Sequence, residues 1–133
     1  MSEQIEKQKI TIRKVSKMGK ILVIDDDKMN LKMATFILGK GGHEAVCASS
    51  GQEGLEKIKT EQFDYILLDI EMPEMNGYET LEAIRKDEAI KSTKVIFLTA
   101  TVNSEVEEMA QKLGVEEIVQ KPFKAPELLK VLG

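Results

Sequence analysis

Short apolar segments alternate with amphipathic ones along most of this chain, and that beat constrains its fold more than any other feature. Ile21-Leu22-Val23-Ile24 is an unbroken run of strand formers that stops at Asp25, Asp26 and Asp27. A run without polar alternation suits a strand covered on both faces. From Lys28 to Lys40 the apolar positions Leu31, Ala34, Ile37 and Leu38 recur at helical spacing, and Gly39, Gly41 and Gly42 supply helix-ending conformations. Glu44 to Ala48 reads as a second strand. Ser50 with Glu53 forms a capping-box signature for a helix that faces inward through Leu55 and Ile58. Tyr65 to Leu68 is a third strand, followed by a helix capped by Asn76 and Glu79, with Tyr78, Leu81 and Ile84 inside. Lys94 to Leu98 is a fourth, and Ser104 with Glu107 opens a helix carrying Val106, Met109, Ala110 and Leu113. Glu117 to Val119 is the fifth, and Leu128, Leu129 and Val131 form a last short helix. Five strand–helix units predict an α/β fold, (βα)5, in which helices cover both faces of a doubly wound five-stranded parallel sheet. A closed eight-unit barrel would need roughly twice the length.

Open parallel sheets place their sites beyond the carboxyl ends of the strands. The residues there are Asp25, Asp26 and Asp27 after the first strand, Asp69 after the third, Thr99 after the fourth and Lys121 after the fifth. Carboxylates converging in one crevice stay ionised together only if a cation compensates them. An all-oxygen donor set with few protein ligands suits magnesium, which shares its shell with water and phosphate oxygens. Asp69 is then a candidate nucleophile, since a carboxylate can form an aspartyl-phosphate. Lys121 would offset charge on the transferring oxygens, and the Thr99 hydroxyl would donate to one of them. The acidic first loop, Asp25-Asp26-Asp27-Lys28, disfavours direct nucleotide binding, which uses glycines and backbone amides to hold phosphate. Neither GxGxxG nor GxxxxGK[ST] occurs.

Charge divides the chain in two. The net charge is −4, yet residues 1–20 carry six basic and two acidic side chains, leaving 13 basic and 21 acidic in the remainder. Residues 1–18 read as a basic leader outside a domain of residues 19–133. Within the leader, Ile5, Ile12 and Val15 could share a helical face, while Ile10 and Ile12 could equally alternate along a strand. Partial disorder, docking on the acidic body or a partner, and the tail of a linker are the open readings of its role. A single cysteine, Cys47, excludes an internal disulfide. No apolar run approaches the ~20 residues of a membrane span, and nothing at the start resembles a signal peptide. A cytoplasmic location and no association with membrane or DNA are expected.

Four segments together are similar to the receiver domain of two-component response regulators. They are Ile21-Leu22-Val23-Ile24-Asp25-Asp26-Asp27, Asp64-Tyr65-Ile66-Leu67-Leu68-Asp69-Ile70-Glu71-Met72-Pro73-Glu74-Met75-Asn76-Gly77, Phe97-Leu98-Thr99-Ala100 and Lys121-Pro122-Phe123, in family order and at family spacing. The resemblance implies a flavodoxin-like strand order 2-1-3-4-5. It implies that Asp69 accepts a phosphoryl group from a sensor histidine kinase or histidine phosphotransfer protein. Magnesium would be held by Asp26 directly, by Asp25 mainly through water, by Asp69 and by the Glu71 main-chain carbonyl. Thr99 would be the switch hydroxyl, Lys121 the phosphate-contacting lysine, and Lys121–Pro122 a cis bond. The side chains of Glu71 and Thr101 would border the phosphoryl group, with Glu71 influencing water attack. The family often places an aromatic three residues before the lysine; here Ile118 stands there, so the Thr99 motion is expected to couple differently to the surface. Output would pass through the face of the fourth helix, fifth strand and fifth helix to a protein target, as a monomer or phosphorylation-dependent dimer. The end of the chain just after that helix predicts a stand-alone receiver, catalytic only in its own phosphorylation and dephosphorylation. A fragment of a hybrid kinase or multidomain regulator, and a non-phosphorylated scaffold, are the alternatives.

Other polar residues take plainer expectations. Asp27 reads as a helix N-cap, Asp64 as a turn residue and His43 as structural. Cys47 reads as a small core residue, and the methionines as helix packing and part of the acceptor loop.

Overall fold

The computed structural model describes residues 19–132, so the leader at 1–18 lies outside the described residues. Five strand–helix units follow one another. They are β1 (Lys20–Ile24), α1 (Lys28–Lys40), β2 (Glu44–Ala48), α2 (Gly51–Thr60), β3 (Tyr65–Asp69), α3 (Gly77–Lys86), β4 (Val95–Thr99), α4 (Ser104–Lys112), β5 (Glu117–Gln120) and α5 (Ala125–Lys130). All neighbouring strands pair in parallel, in the order β2-β1-β3-β4-β5. The expected doubly wound sheet and its 2-1-3-4-5 order are both present.

Strand alternation divides the core. Leu22, Ile24, Ile66, Leu68, Val95 and Phe97 face α2, α3 and α4, meeting Leu55, Ile58, Leu81, Ile84, Val106 and Ala110. Ile21, Val23, Leu67, Ile96 and Leu98 face the other way, onto Ala34, Ile37 and Leu38 of α1 and Leu128 of α5. Successive side chains on a strand point to opposite faces, so an unbroken apolar run is what two covered faces require. Tyr78 meets Phe97 edge-on, with ring centroids 5.6 Å apart. That geometry suits the aromatic quadrupoles.

Caps set the helix starts, with two departures from expectation. Asn76 and Glu79 form a complete capping box at α3, as predicted. At α2 the Ser50 hydroxyl accepts the Glu53 N–H, but the Glu53 carboxylate returns to the Ser49 backbone and hydroxyl. At α4 the N-cap is Asn103, whose side chain accepts the Val106 N–H at 3.0 Å; Ser104 is the first helical residue. Both residue types cap well, and the chain uses the one whose spacing reaches the third amide of the helix.

Two apolar expectations also shift. Cys47 is half-buried, because β2 is an edge strand, and its sulfur lies 3.2 Å from the Thr35 hydroxyl. Met29 and Met33 are exposed together with Phe36, on the side of α1 away from the sheet. Met72 is buried, and Met75 and Met109 are half-buried, as packing residues should be.

Candidate functional site

Each predicted site residue sits where a strand runs out. Asp25 follows β1, and its N–H donates to the Ala48 carbonyl at 3.1 Å, which carries the sheet one residue past β1. Asp69 is the last residue of β3. Behind it, the first turn of α3 packs so closely that a Cβ at Gly77 would lie 2.5 Å from the Asp69 carbonyl oxygen. Only glycine lets that helix approach, which gives the Gly77 of the acceptor motif a steric reason. Thr99 ends β4, and its carbonyl accepts the Lys121 N–H at 2.8 Å, fixing the lysine beyond β5. Lys121–Pro122 is cis, as expected.

These positions bring together Asp25, Asp26, Asp69 and Lys121. The Lys121 ammonium lies 2.9 Å from Asp25 Oδ2 and 2.8 Å from Asp69 Oδ1. Asp25 is fully buried and Asp69 1% exposed, while Asp26 opens to solvent. Asp25 also accepts the Asp27 N–H at 2.9 Å and the Asn30 amide at 3.3 Å. The Lys121 ammonium is the contact that holds Asp69 Oδ1; among the described residues no other donor reaches that oxygen. Burial is the main force raising the Asp69 carboxyl, from 3.8 to about 7; Lys121 opposes it, and the Asp25 and Glu71 charges add to it. For Lys121, burial works against the charge, but the bonds and charges of Asp69 and Asp25 prevail and raise its pKa. It therefore stays an ammonium.

Asp25, Asp26 and Asp69 each offer a carboxylate oxygen, all within 4.8 Å of one another. This donor set fits a hard divalent cation: it is all oxygen, small in number, and its carboxylates have one ammonium between them. Asp27, by contrast, is the N-cap of α1, accepting from Met29 and Asn30. Asp64 accepts the Lys20 N–H at 2.8 Å at the far end of the sheet, and His43 Nδ1 accepts the Gly19 N–H at 2.9 Å. Those three residues are structural, as expected.

Thr99 is 1% exposed, and its hydroxyl faces Glu71: the carboxylate oxygens lie 2.9 and 3.0 Å away. The sequence places Glu71 near the phosphoryl position but gives no sign that its side chain would turn onto Thr99. Ile118, opposite Phe97 in the β4–β5 register, is half-buried against the α3–α4 side of the core. It is the aliphatic counterpart of the expected aromatic.

Comparison with known proteins bears on this geometry. A sequence model described as the response regulator receiver domain matches residues 21–133. The transcriptional regulatory protein CrdR of Helicobacter pylori is 37% identical over 109 residues, which cover 82% of this chain and 51% of that protein. The chain thus spans about half the length of that curated relative. The structure of chemotaxis protein CheY4 of Vibrio cholerae superposes with a TM-score of 0.82 at 33% identity, covering 86% of this chain and 96% of the other. The receiver domain of sensor histidine kinase PA1611 from Pseudomonas aeruginosa superposes with a TM-score of 0.78 at 26% identity, covering 86% and 94%. That structure has a magnesium ion coordinated in its active-site cleft.

Proposed function

We propose that this chain, which belongs to the response regulator receiver family, is a phosphorylation-dependent switch that accepts a phosphoryl group from a phosphohistidine onto Asp69. One observation carries the reading: Asp69 is a buried carboxylate at a strand end, with the Lys121 ammonium 2.8 Å from its Oδ1 and the Asp25 and Asp26 carboxylates beside it. An Asp69 oxygen would form the new P–O bond as the donor's P–N bond breaks, the histidine nitrogen leaving with the electron pair. Asp25, Asp26 and Asp69, with the Glu71 main-chain carbonyl, would hold a magnesium ion, which when bound offsets charge on the phosphoryl oxygens. Lys121 would move its ammonium from the two carboxylates to a phosphoryl oxygen, and Thr99 would donate its hydroxyl to another. In the resting protein, pairing with Asp69 and Asp25 keeps Lys121 charged. Catalysis is confined to the protein's own phosphorylation and dephosphorylation.

Phosphorylation would shift an existing equilibrium that alters the face of α4, β5 and α5, where a protein target binds. A stand-alone receiver in the cytoplasm is the reading we favour; no helix among the described residues is long and apolar enough to cross a membrane. The likeness to a receiver domain of a sensor histidine kinase supports a second reading, a receiver segment of a hybrid kinase. The test is incubation with magnesium and acetyl phosphate followed by intact-mass measurement. One phosphoryl adduct is expected on the wild type and none on Asp69→Asn. An adduct that persists in Asp69→Asn would refute the acceptor assignment. A wild type that neither gains an adduct nor binds beryllofluoride would be a scaffold.

A further inference from the structure

The Thr99 hydroxyl has one proton to give. Three acceptors compete for it: Glu71 Oε1 at 2.9 Å, Glu71 Oε2 at 3.0 Å and the Thr101 carbonyl at 2.9 Å. A carboxylate attracts a hydroxyl proton about twice as strongly as a neutral carbonyl does. The Thr99 oxygen in turn accepts the Thr101 N–H at 3.1 Å, and the Ala100 N–H points at Glu71 Oε1 at 3.4 Å. Glu71 thus closes a small ring of bonds between the segment after β3 and the segment after β4, 28 positions along the chain. Nothing in this ring needs the side chain for packing, since Glu71 itself is exposed.

We infer that Glu71 is a positioning residue: its carboxylate clasps the Thr99 hydroxyl in the resting protein, and that hydroxyl can serve a phosphoryl oxygen on Asp69 only after the clasp opens. The inference rests on the proposed function, because a phosphoryl group on Asp69 is what gives the proton a second destination. With one proton shared between two anions, whatever holds it on Glu71 is subtracted from what phosphorylation gains. The clasp therefore biases the chain toward its resting state. It also makes the switch local and polar, where Ile118 offers no ring to follow the threonine. A bare negative charge at Glu71 would also oppose an incoming phosphoryl group, so charge and clasp need separating.

Two substitutions separate them. Glu71→Gln removes the charge and keeps an acceptor oxygen; Glu71→Ala removes both. Each protein, uniformly folded by its urea midpoint, is titrated with beryllofluoride and magnesium while the Thr99 methyl resonance is followed by NMR. Before any ligand is added, the Thr99 methyl of Glu71→Ala should lie displaced toward its beryllofluoride-bound position, with Glu71→Gln near the wild type. Glu71→Ala should then bind beryllofluoride roughly three- to tenfold more tightly than Glu71→Gln, the share of a neutral hydrogen bond from the Thr99 hydroxyl to the glutamine amide oxygen. Equal affinities in the two variants, with the Thr99 methyl unmoved, would leave only charge and overturn the clasp. A wild type that binds no beryllofluoride would instead overturn the phosphoacceptor reading, whatever the methyl resonance of the unliganded variants shows.

Discussion

At the amino ends of the strands, polar groups close on one another. His43 takes the Gly19 N–H, Asp64 takes the Lys20 N–H, and Lys20 pairs with Glu61. Arg85, at the end of α3, donates to the carbonyls of Lys91 and Thr93 at 2.7 Å each, Leu113 at 2.8 Å and Gly114 at 3.2 Å. One guanidinium thereby ties α3 to the segments that lead into β4 and β5. At the carboxyl ends the same sheet does the opposite. Two buried carboxylates share one ammonium, and the Thr99 hydroxyl faces a carboxylate from the segment after β3. At the amino edge these described polar groups are each paired within the fold. The carboxyl edge carries unbalanced charge, which under the proposed function a cation and a phosphoryl group would draw on. Substitutions at the two edges should therefore differ in pH dependence, and at the carboxyl edge the sign should turn on whether the cation or a carboxylate is removed.

The largest effect belongs to Lys121→Met, measured by urea denaturation in EDTA. Removing the one cation between Asp25 and Asp69 should cost about 3 kcal/mol at pH 8. The loss should shrink at pH 5, where a carboxylate can take a proton in its place. A pH-independent loss would mean that Lys121 matters here only for packing. Next is Arg85→Met, which keeps the length of the side chain and deletes its donors. Four carbonyls then lose their charged partner, and roughly 2 kcal/mol should go. Among the described residues no carboxylate forms an ion pair with the guanidinium, and Glu116 acts on it only through its charge, so this loss should change little between pH 5 and pH 8, and beryllofluoride affinity should stand unchanged.

Asp69→Asn reverses the sign. Burial, aided by Asp25 and Glu71 and opposed by Lys121, lifts the folded carboxyl from 3.8 to about 7. Between those values the folded protein holds a proton that the unfolded chain has released, so stability falls as pH rises; above about 7 both states are ionised and the penalty is constant. Asp69→Asn in EDTA should flatten that slope and gain roughly 1 kcal/mol at pH 8, with little gain near pH 4. An unchanged slope would place the pH dependence elsewhere.

The sequence carried the strand edges and much of the site because both follow from local order. An apolar run such as Ile21–Ile24 says where a buried strand lies, and the residue after it says what reaches the sheet edge. Asp25, Asp69, Thr99 and Lys121 gather at one edge by that rule alone. What escaped depends on contacts with no spacing. Arg85 looks like an ordinary last-turn cation until Leu113, 28 positions away, comes within reach. Glu71 has the same separation from Thr99. Cys47 read as core because its strand did, but an edge strand is covered less completely. Met29 and Met33 fall on the outer side of α1, where apolar residues carry no packing signal.

The smallest effect separates the site from its scaffold within the carboxyl edge itself. Asn103 and Ser104 both lie there, both are residue types that cap helices, and the sequence alone favours Ser104 because Glu107 follows it at capping-box spacing. In the structure the Asn103 side chain satisfies the Val106 N–H, while Ser104 has already entered α4. A helix leaves its first amides without intrahelical partners, so deleting the side chain that serves one of them has a defined cost. Asn103→Ala should lose about 1 kcal/mol at every pH, and Ser104→Ala no more than a few tenths, with phosphoryl uptake intact in both. That pattern would show that polar residues a few positions past Thr99 hold the helix start and leave the charge at the crevice alone. A larger loss at Ser104 would return the cap to the residue that the sequence pattern favours.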